Sequence, residues 1–269
     1  MATTKPARLR DRPEEARAPE FVQSLDRGLA VIRAFSAEAP SLTLSDVARA
    51  TGLTRAAARR FLLTLEALGY VGSDGRHFHL RPKVLELGYA YLSSLTFEEV
   101  ALEHMRDLVE QVHESSSASV LDGTDIVYVA RVPAKRIMSI GLNVGTRLPA
   151  FCTSMGRVLL AALPEAALNA YFCAADLQGR TSRTVTDEGR LREILADVVD
   201  HGWAMVDQEL EHGVRSVAVP IRGPGGSVLG ALNISAHATR VPLDRLRRTY
   251  LPLLQDAAGL IEADLSGRR

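Results

Sequence analysis

The segment Thr54-Arg55-Ala56-Ala57-Ala58-Arg59-Arg60 brings three guanidinium groups and three methyl side chains together on seven residues. In a helix whose inward stripe is Ala58, Phe61, Leu62 and Leu65, the outward side carries Arg55, Ala56, Arg59 and Arg60. Arginines there can pair bidentately with guanine N7 and O6 or neutralise phosphate, and small alanines permit close approach to a groove. Ser45 and Thr54 add hydroxyls and helix-start amides suited to backbone phosphates. Arg76, with His77 and His79, lies on a candidate hairpin that could meet an adjacent groove. Taken alone, Arg59-Arg60 also reads as a solvated helix face, and the two histidines as neutral surface.

The second half of the chain holds other reactive side chains. Asp207, Glu209, Glu211 and His212 form an acidic cluster with one imidazole, either an acid-base or metal group or a structural one; no second His or Cys is suitably spaced for a metal. Cys152 beside a helix start is either an activated thiol or a core thiol. Gly223-Pro224-Gly225-Gly226 lacks the Lys and Ser/Thr of a phosphate loop and reads as a hairpin turn. Ser115-Ser116-Ser117 reads as a polar strand entry. No metal or cofactor is expected.

The elements that must position these groups follow from periodicity. Residues 1–20 read as a disordered arm. Ser24 is a candidate cap for a helix carrying Leu25, Leu29, Ile32 and Phe35, stopped by Ala39-Pro40. Ser45 is expected to cap a short second helix ending at Gly52, and Thr54 a third ending at Gly69. Tyr70-Val71, the turn Gly72-Ser73-Asp74-Gly75 and His77–Leu80 predict a hairpin. Helix, short helix, turn, longer helix and hairpin is the order of a winged helix-turn-helix, over residues 21–81. A linker helix is expected over 82–96, offering dimer-forming surface.

Residues 97–265 predict a second domain: a helix near Phe97–His113, strands at Ser117–Leu121, Ile126–Val132 and Ile137–Leu142, then three helices. Strands at Trp203–Val206, Val214–Ile221 and Val228–Ser235 precede a final helix from Pro242 to Asp264. The fold class is α+β, an antiparallel sheet covered by helices. Trp203, the single tryptophan, is expected to border the ligand pocket.

Net charge is zero, but residues 1–95 hold 14 Lys+Arg against 10 Asp+Glu and residues 96–269 hold 18 against 22. The basic excess falls where DNA contacts are expected. Two cysteines cannot build a disulfide framework, and no apolar run approaches membrane-spanning length, so a cytoplasmic protein without a membrane partner is expected.

Ser24-Leu25-Asp26-Arg27-Gly28-Leu29, Leu53 through Leu62 and Leu68-Gly69-Tyr70 resemble the IclR family of bacterial regulators. So do Gly145 through Arg157, Asp207-Gln208-Glu209 and Gly213 through Pro220. The likeness covers roughly 21–265, and its recognition and Leu148–Arg157 segments look most like the Pca/Pob branch, which controls aromatic acid breakdown through the β-ketoadipate pathway. The resemblance implies a GAF-like effector domain, a homodimer or homotetramer on a double-stranded DNA operator, RNA polymerase as a further partner, and no enzyme activity. The implied effector positions are Ile137, Ile140, Ser154, Met155, Ser216, Asn233 and Ser235. Ile137, Ile140 and Met155 would form an apolar wall for a ring such as protocatechuate or 4-hydroxybenzoate. Its carboxylate needs donors, for which the Ser154 helix start and the side chains of Arg136 or Arg147 are candidates. A regulator with a non-aromatic acid effector stays open, as does a GAF-like enzyme or effector-free protein with an incidental helix-turn-helix.

Overall fold

A computed structural model of the chain describes residues 21–88, 97–134 and 142–267. The chain divides into two compact units, residues 1–91 and 92–269.

In the first unit, α1 (Gln23–Arg33), α2 (Leu44–Thr51) and α3 (Arg55–Ala67) surround a small core. Val31, Phe35, Val47, Ala48, Ala58, Leu62, Leu65 and Val71 are buried in it. The buried side of α3 matches the expected stripe except Phe61, which is half-buried. On α1 the inward residue is Val31, whereas Leu25 and Leu29 face outward. The caps also differ. Ser24 lies inside α1, whose cap position is Val22, without a side-chain bond. The cap of α2 is Thr43, not Ser45: Thr43 accepts from the Asp46 amide and Asp46 returns a bond to the Thr43 amide. This reciprocal box satisfies two otherwise orphaned donors, which Ser45, two residues inside the helix, cannot do. Gly52 closes α2 in the left-handed region at φ 70°, as its position suggested.

The wing has three strands, β1 (Ser41–Thr43), β2 (Val71–Ser73) and β3 (His77–Leu80), in the order β1-β3-β2. A tight 3₁₀ turn, Pro82–Leu85, follows, and helix continues to residue 88. The rest of the expected linker helix, and the N-terminal arm, lie outside the described residues.

The second unit is a six-stranded antiparallel sheet in the order β6-β5-β4-β9-β8-β7. Its strands are β4 (Ser115–Asp122), β5 (Asp125–Val132), β6 (Arg147–Pro149), β7 (Ala204–Asp207), β8 (Val214–Arg222) and β9 (Val228–His237). Each face takes alternate residues. Ala118, Val120, Val217, Val219, Leu232 and Ile234 point to one side, where α4 (Glu98–Val112) and α8 (Leu251–Gly267) cover them. A π-helical stretch, Leu246–Tyr250, leads into α8, and the Tyr250 hydroxyl donates to the Val112 carbonyl at 3.1 Å. The other face is overlaid by α5 (Ser154–Ala161), with α6 (Glu165–Ala174) and α7 (Glu188–His201) completing a second core.

This alternation corrects one expectation. Trp203 packs with the α4/α8 core, with the Arg247 guanidinium 5.5 Å from its ring, so it sits behind the sheet rather than beside the α5 face. No helix among the described residues is long and apolar enough to cross a membrane.

Candidate DNA-binding surface and effector face

Helix α3 begins where Thr54 Oγ1 accepts the Ala57 amide at 3.2 Å, as its type and position predict. At the other end, Lys83 Nζ donates to the Leu68 carbonyl at 3.1 Å, satisfying an acceptor beyond the helix. Arg55, Ala56, Arg59 and Arg60 are all exposed, and among the described residues no carboxylate lies within ion-pair distance of the three arginines. Arg49 on α2 is by contrast paired with Asp46 at 2.6 Å. Ser45 is exposed in the first turn of α2.

At the wing tip, Asp74 Oδ1 accepts the amides of Arg76 at 2.9 Å and His77 at 2.6 Å, which holds its carboxyl down at about 2. His77 Nδ1 lies 3.4 Å from the same carboxylate, so His77 serves the turn. His79 lies over Gly72, where a Cβ would come within 2.6 Å of its Nε2. Arg76 projects from the tip, exposed.

In the second unit, the face beneath α5 carries a polar patch. Ser216 pairs with Ser235, Asn233 lies opposite both Ala218 and Ser117, and Ser117 lies opposite Arg131. Asn233 is buried and its Oδ1 accepts the Ser117 amide at 3.0 Å. Ser154, the first residue of α5, places its hydroxyl 2.7 Å from that of Ser216. Met155 is buried, its sulfur accepting from Ser119 Oγ at 3.3 Å. The fold thus brings Ser154, Met155, Ser216, Asn233 and Ser235 to one face. Ile137, Ile140 and Arg136 lie outside the described residues.

Arg147 is placed elsewhere. It pairs with Val127 across β6 and β5, on the α4 side, and its guanidinium is held by Asp122 and Asp125 at 2.5 and 3.2 Å. Among the described residues, Arg131 brings a cation to the α5 face, where its Nη1 donates to Ser117 Oγ at 3.2 Å. Strict alternation from Tyr128 would put Arg131 behind the sheet. A bulge in β5, where Ser119 opposes Tyr128 and Ala118 opposes Ala130, turns it forward. That bulge is what hides it in the sequence.

A buried ion pair fixes the start of α5. Arg157 Nη1 and Nη2 reach both oxygens of Glu209 at 2.8 and 2.6 Å, while its Nε donates to the Phe151 carbonyl at 3.0 Å. Glu209 also accepts the Val185 amide, and Asp207 is bonded by Arg215 and Arg183. Buried Glu209 and half-buried Asp207 are therefore structural, while Glu211 and His212 are exposed. Gly156 is required by contact: a Cβ there would lie 2.1 Å from the Ala150 carbonyl oxygen. Cys152 is buried, and burial pushes its thiol up to about 11, so it is a core thiol.

A separate cleft of about 280 Å³ opens at the far end of α5, lined by Val158, Ala162, Val198, Pro220 and Arg222 among others. None of the expected effector residues that are described lines it.

A winged helix-turn-helix followed by a sheet domain with a polar patch beneath a helix start defines a ligand-binding transcription regulator. The chain belongs to the IclR family: the IclR helix-turn-helix domain matches residues 24–75, and the bacterial transcriptional regulator IclR C-terminal domain matches residues 89–263. It is 48% identical over 241 residues to the Pca regulon regulatory protein of Pseudomonas putida, covering 89% of this chain and 83% of that one. A transcriptional regulator from Rhodococcus sp. RHA1 is 55% identical, with a TM-score of 0.83 over 93% of this chain and 100% of that one. An IclR homologue from Microbacterium hydrocarbonoxydans, solved with 4-hydroxybenzoate, is 27% identical, with a TM-score of 0.79 over 91% and 99%.

Proposed function

We propose that this protein is a ligand-responsive transcription regulator of aromatic acid catabolism. It binds double-stranded operator DNA through Arg55, Ala56, Arg59 and Arg60, positioned by Thr54 and Ser45, with Arg76 on the wing. Its effector sits on the sheet face bounded by Ser154, Met155, Ser216, Asn233 and Ser235. The observation that carries the DNA reading is the row of exposed arginines on α3 without carboxylate partners among the described residues, since such cations on a helix that fits a major groove are free to exchange water for phosphate and base edges. Similarity to the Pca regulon regulatory protein supports the aromatic class.

The protein acts as a homo-oligomer in the cytoplasm, two winged helices meeting paired half-sites. Effector binding changes operator occupancy, or contact with RNA polymerase, only through different affinity for two subunit arrangements. The test is fluorescence anisotropy on DNA flanking the regulator's own gene, with and without protocatechuate or 4-hydroxybenzoate. An effect confined to aliphatic acids would favour the non-aromatic reading, and turnover of either ring acid would favour an enzyme.

A further inference from the structure

The geometry points to a fixed orientation of the effector: its carboxylate on Arg131 and a ring hydroxyl opposite that carboxylate on the Ser154–Ser216 pair. This rests on the proposed aromatic effector and specifies it as a para-hydroxylated ring acid. Arg131 is half-buried, its guanidinium drawn over β4 by Ser117, and no carboxylate among the described residues lies within ion-pair distance. Burial lowers its pKa, which expresses the cost of a charge drawn from water with no anion among the described residues beside it, and a ligand anion would relieve that cost.

The hydroxyl end follows from spacing. Ser117 lies on β4 and Ser216 on β8, two strands away across β9 and one side-chain step further along. Two strand spacings of about 4.8 Å and a two-residue step of about 7 Å make roughly 12 Å. A benzene ring with a carboxylate and a para hydroxyl, with one hydrogen bond at each end, also spans roughly 12 Å. The Ser154 and Ser216 hydroxyls, 2.7 Å apart, can both donate and accept, which suits a phenol better than a second anion. Asn233 between them lies under the ring, its amide oxygen engaged by Ser117. Short aliphatic acids do not bridge the two ends.

The test is calorimetric titration of the full-length protein with 4-hydroxybenzoate, its methyl ester, benzoate and acetate, on the native chain and the variants Arg131→Gln and Ser216→Ala. Unliganded melting curves establish that the variants fold. The native chain should prefer 4-hydroxybenzoate to both the ester and benzoate by about tenfold or more. Arg131→Gln should erase the preference over the ester while keeping that over benzoate, and Ser216→Ala should do the reverse. The opposite assignment, with Ser216→Ala erasing the acid-over-ester preference, would place the carboxylate at the α5 start and overturn the orientation. Absence of binding by every ring acid to the native chain would instead defeat the aromatic reading itself.

Discussion

Arg59 and Arg157 show how one side-chain type takes opposite roles by environment. Arg59 is exposed on α3 with no carboxylate partner among the described residues, and Arg157 is nearly sealed against Glu209. Arg59→Ala should weaken operator binding at least several-fold and reduce its salt dependence by about one phosphate's worth, with the melting curve and effector affinity unchanged. Equal loss of effector binding would contradict the assignment. Glu209→Gln removes one partner of a buried pair and should destabilise the second domain by about 3–5 kcal/mol, read by denaturant titration. The cysteines divide in the same way. Iodoacetamide at pH 8 should label exposed Cys173 and spare Cys152, whose thiol stays protonated there, as mass spectrometry of the native protein would report. Asp74 gives the pH sign at the wing. Its carboxyl is depressed to about 2, so the turn it holds is intact above the ordinary carboxylate range and loosens as pH falls towards 2. Amide exchange at Arg76 and His77 should rise only over that acid window.

At the scale of elements, Gly156 sets the α5 start. Gly156→Ala drives a methyl into the Ala150 carbonyl and should cost about 3 kcal/mol or more, or abolish folding of the second domain. Thr54→Ala, which loses a cap alone, should cost about 1 kcal/mol. The helices and long strands were legible because their apolar spacing matches the faces they bury, as Ala58, Leu62 and Leu65 do on α3. Features set by a local exception were not. The three-residue strands β1 and β6 carry too little pattern to read, Thr43 outcompetes Ser45 as a cap through its partner Asp46, and the β5 bulge turns Arg131 to the α5 face. Five expected effector residues meet on that face, but they were placed by family likeness. Ser115-Ser116-Ser117 reads only as a polar strand entry, because a run of three identical small residues shows no alternation to say which of them faces α5.

For the whole molecule, the account requires linkage: a basic helix reads DNA, a polar face reads a ring acid, and each changes the affinity of the other by the same factor. The most direct measurement is operator affinity by anisotropy across a titration of protocatechuate and 4-hydroxybenzoate, with thermal melting alongside because Trp203 lies behind the sheet. The account predicts that at least one of these acids raises the melting temperature and shifts operator affinity saturably at the same concentrations. Sequence-specific operator binding that neither acid alters, with no rise in melting temperature at millimolar ligand, would contradict it.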